Sequence, residues 1–308
     1  MSIRVGMGTG LGANLSASDY WRWIDFCEES GVDSIWHSDQ LLGANVEPMA
    51  MLAALAARTR KMKFGTNALV LPFRDPVVIA KEFATIEWLS EGRLFPVLGV
   101  GIGNDPYWKA TGTSPKARGK ISNEMIALIR ALLQEEDVEF EGEHFTFHGP
   151  GVHPRPNRKI PLWIGGNSRA AVERTAAMGD GWLGSLVEAE KAGAARRGIE
   201  EALKQTGRSI DSDHYGMSLL LRVGAPDDPG VERTKANLRQ RLSPDGDPAQ
   251  IDSIFAVGTP DDVTAMLASH VEKGMSKFVV LPLANDIDDL MSQTKLLVEQ
   301  VLPQVEDR

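Results

Sequence analysis

Eight short apolar runs alternate with eight stretches of helical period along this chain, and that alternation restricts its fold more than any other feature. The runs are Ile3 to Met7, Val32 to Trp36, Lys63 to Val70, Arg93 to Val100, Leu162 to Ile164, Trp182 to Leu183, Tyr215 to Val223 and Lys277 to Leu283. Between them, helical spacing runs from Ser18 to Ser30, Pro48 to Arg58, Pro76 to Leu89 and Lys116 to Gln134. It resumes to Met178 behind Asn167 or Ser168, from Glu188 to Gln205, from a Thr259 cap to Lys273, and from Ile287 to Val301. Period two inside period 3.6, with no linker between units, predicts parallel strands covered by helices. A (β/α)8 barrel takes about 250 residues, so 308 residues suit one barrel domain over 1–308 with insertions. A doubly wound sheet is the other architecture with this rhythm.

Two segments break the pattern. VEFEGEHFTF (138–147) alternates with period two about Glu141-Gly142-Glu143 and predicts an inserted β-hairpin. Residues 224–256 are rich in turn clusters such as Pro226-Asp227-Asp228-Pro229-Gly230 and predict a mobile insertion or lid. The net charge of −9 argues against nucleic acid and anionic membrane surfaces as partners. Cys27 is the only cysteine, so no intrachain disulfide forms and no cysteine-based metal site is expected. The opening MSIRVGMGTG has too short an apolar run for a secretory signal, no stretch approaches the ~20 apolar residues of a membrane span, and the expected location is the cytoplasm.

The densest local signal is PLWIGGNSRAAVERTAAMGDGWL (161–183): strand, Gly165-Gly166, a helix capped by Asn167 or Ser168, then strand. Free N–H groups and the positive helix end make such a turn an anion site. The same pattern also serves as a plain βα turn, and the local sequence leaves both open.

Four strand ends carry further motifs: DSIWHSDQLL (33–42), FGTNALVLPFRDPVVIAKEFATIEWLSEGRL (64–94), VLGVGIGN (97–104) and the stretch just described. In this order and spacing they resemble the bacterial luciferase-like superfamily of flavin and deazaflavin oxidoreductases. The likeness spans nearly the whole chain and is weakest between Gly184 and Ala256. The short length and the form GTNALVLPFRDP are more similar to members that use the deazaflavin coenzyme F420 than to the longer flavin monooxygenases. The resemblance implies a TIM barrel with the cofactor across its C-terminal mouth. It also implies a non-prolyl cis peptide between Asn67 and Ala68 behind the cofactor ring, and a homodimer formed through helices beside the second and third strands.

The same resemblance assigns Asp39 to the ring system. Gln40 stands where many members carry a proton-transferring His, and glutamine hydrogen-bonds without titrating. His37 is a possible substitute. Asn104 stands where sugar-phosphate dehydrogenases of the superfamily carry a Glu, with Asp105 beside it. Gly101, Ile102, Gly103 and Asn104 would let the cofactor approach the backbone, and Gly165, Gly166, Asn167 and Ser168 would hold its phosphate. Arg169 and Arg174 are candidates for the acidic tail of F420, and Tyr107 and Trp108 for pocket wall. Arg74 and Lys81 read as surface charges; Trp21, Trp23, Trp88, Trp163 and Trp182 read as core. His144, His148 and His153 read as surface or packing residues, and no metal is expected. The implied activity is F420-dependent hydride transfer to or from a small organic substrate. The alternatives are an FMN-dependent, reduced-flavin monooxygenase and a noncatalytic cofactor-binding protein.

Overall fold

Strand β1 (Arg4–Gly8) pairs in parallel with β2 (Ser34–His37), and β2 with β3 (Lys63–Thr66). The computed structural model describes residues 2–9, 15–42, 45–242 and 252–306. Two residues beyond β3 the same strand resumes as β4 (Leu69–Val70). The fourth strand is likewise split at Pro96 into β5 (Leu94–Phe95) and β6 (Val97–Gly99). β3 pairs β5 while β4 pairs β6. A hairpin of β7 (Asp137–Glu141) and β8 (Thr146–Pro150) lies outside the main sheet. The barrel continues through β9 (Trp163–Gly165), β10 (Gly181–Ser185) and β11 (Tyr215–Val223). β12 (Ala256–Gly258) is a short strand on β11, and β13 (Lys277–Pro282) pairs both β11 and β1. Because the two ends of the sheet are halves of the same two strands, the sheet closes into the expected eight-stranded parallel barrel.

Strand alternation divides the apolar residues into two sets. Trp36, Val97, Trp163, Leu183 and Val279 fill the barrel interior. The larger core lies between strands and helices and includes Ile35, Phe64, Leu98, Ile164, Tyr215 and Phe278. Glycines inside the barrel make room for the indole of Trp36. A Cβ on Gly6 would lie 2.6 Å from its Nε1, and one on Gly65 would lie 2.6 Å from its Cζ3.

Helices α1 (Ala17–Ser30), α2 (Pro48–Arg58) and α3 (Pro76–Ser90) cover β1 to β3. Asp75 caps α3 by accepting the N–H groups of Val77 and Val78, with Pro76 at the first helical position. Within α3 the structure corrects the reading of Trp88 as core. It is 64% exposed, and the buried position belongs to Glu87, whose carboxylate meets Arg158 at 2.7 Å. Burial raises the Glu87 pKa while Arg158 opposes the shift.

After the short α4 (Tyr107–Thr111) come α5 (Arg118–Gln134), α6 (Arg169–Met178) and α7 (Ala189–Thr206). The turn-rich reading of 224–256 is also corrected: Pro229–Leu242 is a helix, α8. Pro229 opens it, the Asp228 carboxylate accepts the Gly230 N–H at 2.7 Å, and Glu, Lys, Ala, Leu and Arg carry it on. Residues 243–251, the rest of the proposed mobile insertion's turn clusters, lie outside the described residues. Helices α9 (Pro260–Glu272), begun by a Thr259–Asp262 capping box, and α10 (Ile287–Leu296) complete the outer layer. No helix among the described residues is long and apolar enough to cross a membrane.

Candidate active site

All eight strands point their C-terminal ends to one mouth, where a barrel's working loops gather. Its floor begins where β3 breaks. Asn67 and Ala68 are joined by a cis peptide bond, as the resemblance implies. Asn67 is held on both sides of the break: its N–H donates to the His37 carbonyl at 2.8 Å, and its Nδ2 donates to Ser218 Oγ at 2.9 Å. Next to it, the Thr66 hydroxyl donates to the Val97 carbonyl at 2.8 Å and accepts the Val97 N–H at 3.1 Å.

The Ala68 methyl then sits between two glycines at the tops of the neighbouring strands. A Cβ on Gly99 would lie 3.2 Å from it, and one on Gly165 would lie 3.1 Å from it. Three successive strand tops therefore offer nothing larger than a methyl group, which leaves a floor suited to a planar ring. Gly101, with φ +72°, continues it; a Cβ there would press to 2.9 Å on Val70 and 3.0 Å on Trp108. Trp108 donates to the Ile102 carbonyl at 2.8 Å and packs on Phe73 at 4.7 Å between centroids. Tyr107 packs on Phe73 and donates its hydroxyl to the Leu42 carbonyl. Together they tie the loops after β2, β4 and β6 into one wall. Ile102, Gly103 and Asn104 stand exposed on the rim above it, as does Gln40 across the mouth.

Asp39 is less free than its expected role implies. Its Oδ2 accepts the Val70 N–H at 2.8 Å, and Arg74 forks onto both of its oxygens. Arg74 also reaches Glu47 at 2.9 Å. The Asp39 side chain is only 1% exposed, so Arg74, read as a surface charge, instead locks the loop after β2 to that after β4.

His37 also needs correction as a mouth acid–base group. Trp36 points into the barrel, so the period of two turns His37 outward against α1. There it is buried, with Nε2 at 2.9 Å from the Tyr20 hydroxyl and Nδ1 without a partner among the described residues. Burial pushes its pKa down to about 4, against an opposing pull from Glu47.

The Gly165–Ser168 turn resolves into distinct tasks. Gly166, at φ +116°, donates its N–H to the Leu183 carbonyl and accepts from Trp182 Nε1 at 2.8 Å. Asn167 clasps the backbone of Ser185 through both ends of its amide, at 2.6 and 3.0 Å. Ser168 is therefore the cap of α6, accepting the Ala171 N–H at 3.2 Å. The first N–H groups of α6 have no intrahelical acceptor, an arrangement that can receive an anion.

Two guanidinium groups, Arg174 on α6 behind this turn and Arg118 beside Gly103, have no carboxylate partner among the described residues. Arg174 is buried, and donates to Asn123 Oδ1 at 2.6 Å and to the Gly119 carbonyl at 3.3 Å. Desolvation lowers its pKa. Arg118 begins α5, donates to the Pro115 carbonyl at 2.7 Å, and lies 3.3 Å from where a Gly103 Cβ would be. Arg169, the other candidate, is spent on Glu173 at 2.7 Å and its side chain is 92% exposed. Arg118 had no sequence signal beyond its position at a helix start.

One grouping lies away from the mouth. Glu124, Glu143 and His144 approach one another beside the hairpin. The Glu124 carboxylate accepts the N–H groups of Glu143, His144 and Phe145, so it pins the hairpin turn to α5.

The family profile described as luciferase-like monooxygenase matches residues 2–229. This chain belongs to that family. Among curated relatives, the F420-dependent glucose-6-phosphate dehydrogenase of Amycolatopsis mediterranei (strain U-32) is 28% identical over an alignment 314 positions long, covering 90% of this chain and 91% of that protein. An F420-dependent secondary alcohol dehydrogenase, solved with an F420–acetone adduct, superposes with TM-score 0.86 over the full length of both chains at 19% identity. The FMN-bound oxygenating constituent of 3,6-diketocamphane monooxygenase from Pseudomonas putida superposes with TM-score 0.77, again over both full lengths, at 18% identity. At such identities the two solved structures establish the shared barrel. Curated relatives matched over nine-tenths of this chain are F420-dependent oxidoreductases by name, the enzyme of Microbacterium testaceum (strain StLB037) at 27% identity among them.

Proposed function

We propose that this protein is an F420-dependent oxidoreductase. The Ala68, Gly99 and Gly165 floor would hold the deazaflavin ring, and the first turn of α6 behind Gly166 and Ser168 its phosphate. F420 supplies the hydride chemistry when bound; the chain positions it and excludes water. The observation that carries this reading is the pair Arg118 and Arg174. In a chain of net charge −9, Arg174 reaches the Ala170 carbonyl in the first turn of α6, and Arg118 beside Gly103 leaves its buried Nε without a partner among the described residues, so the pair can take up an anion. F420 carries an acidic tail beyond its phosphate, whereas FMN ends at the phosphate. The F420-dependent relative, matched over 90% of this chain, supports the same choice. A second copy packed on the α2–α3 face belongs to this reading, since Val78, Trp88 and Leu89 are exposed there.

Fluorescence titration of wild type and Arg118→Gln with F420, with the tail-less deazaflavin core and with FMN tests it. Loss of one charge-assisted contact is expected to raise the F420 Kd by roughly 10- to 100-fold. The core should bind both proteins alike. Tight FMN binding with oxygen uptake, and no affinity for F420, would overturn the reading.

A further inference from the structure

The mouth is chemically lopsided. Cations cluster on the β6 side, where Lys109 and Lys116 precede Arg118. On the opposite side, the described residues 9 and 15–16 after β1, 38–42 and 45–47 after β2, and 283–286 after β13 contain neither Lys nor Arg. Arg74 faces that side but is held by Asp39 and Glu47. Residues 166–168, 186–188 and 224–228 add no cation. Helix α8, which follows β11, does carry cations, Arg233, Lys235, Arg239 and Arg241, of which Lys235 pairs with Glu232 and Arg239 with Asp252. The charges present after β2 and β13 are acidic: Asp39, Glu47 and Asp286.

That same side holds a cavity of about 270 Å³ between α1, the start of α2 and the tops of β1 and β13. Its wall includes Tyr20, Trp21, Val46, Met51, Pro282 and Leu290, and among the described residues no charged side chain lines it. The Tyr20 hydroxyl in this wall is already engaged by His37. Exposed apolar residues gather around the mouth as well. Of the eight large ones among the described residues, Leu41, Leu42, Val46, Ile102 and Leu186 are on its loops. Scattered singly such residues mean little, but gathered around one opening they mark a binding surface.

We infer that the substrate is a small, neutral, mainly apolar molecule whose apolar body enters the Tyr20–Trp21–Val46–Met51 cavity, and that sugar phosphates are excluded. A phosphate dianion in this cavity would meet no cation among the described residues that line it, with Asp39, Glu47 and Asp286 on the neighbouring loops, and would be desolvated without a partner. This inference rests on the F420 reading for the chemistry, and on the cavity alone for the binding.

Trp21 and Trp23 line the cavity, so intrinsic tryptophan fluorescence reports its filling with or without cofactor. Cyclohexanol and glucose 6-phosphate are titrated into the full chain, both free and mixed with F420. Cyclohexanol is expected to give a saturable change that Trp21→Phe diminishes, and glucose 6-phosphate none. Val46 is half exposed, so Val46→Asp leaves the core intact while placing a charge in the wall. It should raise the cyclohexanol Kd at least tenfold with the F420 Kd unchanged. Saturable glucose 6-phosphate binding without a cyclohexanol response, or an unchanged cyclohexanol Kd in Val46→Asp, overturns the inference. Cyclohexanol binding that responds to Val46→Asp, with no F420 binding by wild type, overturns the cofactor reading and supports the cavity assignment.

Discussion

Gly166→Asp is expected to remove F420 binding, raising Kd at least about 100-fold, because like charges brought together in a site cost several kcal/mol. The side chain has room. A Cβ at Gly166 meets nothing nearer than the Ala171 methyl at 3.5 Å, so the barrel should still fold. The backbone is less accommodating: φ of +116° costs a non-glycine residue about 1–3 kcal/mol. Gly166→Asn carries the same backbone cost and nearly the same shape without the charge. Thermal melts of the two variants should therefore agree, while their F420 affinities diverge, with Asn retaining measurable binding. Equal losses in both variants would mean that turn geometry, not an anion, governs affinity. Unchanged affinity in Gly166→Asp would remove the phosphate from this turn altogether.

The Gly165–Ser168 turn was legible because its information is local: glycines, a cap and a helix follow one another within five residues. The eight barrel strands were legible for a related reason, since each is a short apolar run bounded by turn residues. The hairpin expected at 138–147 lies at Asp137–Glu141 and Thr146–Pro150, a displacement of at most three residues. What local pattern hides is pairing at a distance. Asp39 and Arg74 lie 35 residues apart, and only closure of the barrel brings them together. Glu87 and Trp88 show the same blindness at closer range. Hydrophobicity assigns the tryptophan inward, yet Arg158, 71 residues on, neutralises the glutamate and lets it take the buried position. Arg118 reads as an ordinary helix cation until the structure shows that no described carboxylate accompanies it.

His37 yields the largest expected effect on stability. Its folded pKa, pushed down to about 4 by burial, lies below the ordinary value of 6.5. Above that value the ring is neutral in folded and unfolded chains alike, and its contribution is complete. As pH falls from 6.5 toward 4, the unfolded chain takes up a proton that the folded chain refuses, so stability drops. Below 4 both states are protonated and the loss stops. The span corresponds to roughly 3 kcal/mol, a large fraction of a typical domain's margin. His37→Gln keeps a hydrogen-bonding partner for the Tyr20 hydroxyl and cannot titrate. Denaturant unfolding of both proteins at pH 7 and at pH 4 isolates this residue, because carboxylate titrations are common to both. Wild type should lose about 3 kcal/mol more than the variant over that interval. Parallel losses would show that the ring takes up its proton as readily in the fold as in the unfolded chain, as it would if Nδ1 reached an acceptor. Greater loss in wild type would fix His37 as a neutral strut between β2 and α1, which leaves proton transfer at the mouth to solvent, the substrate or a group other than His37.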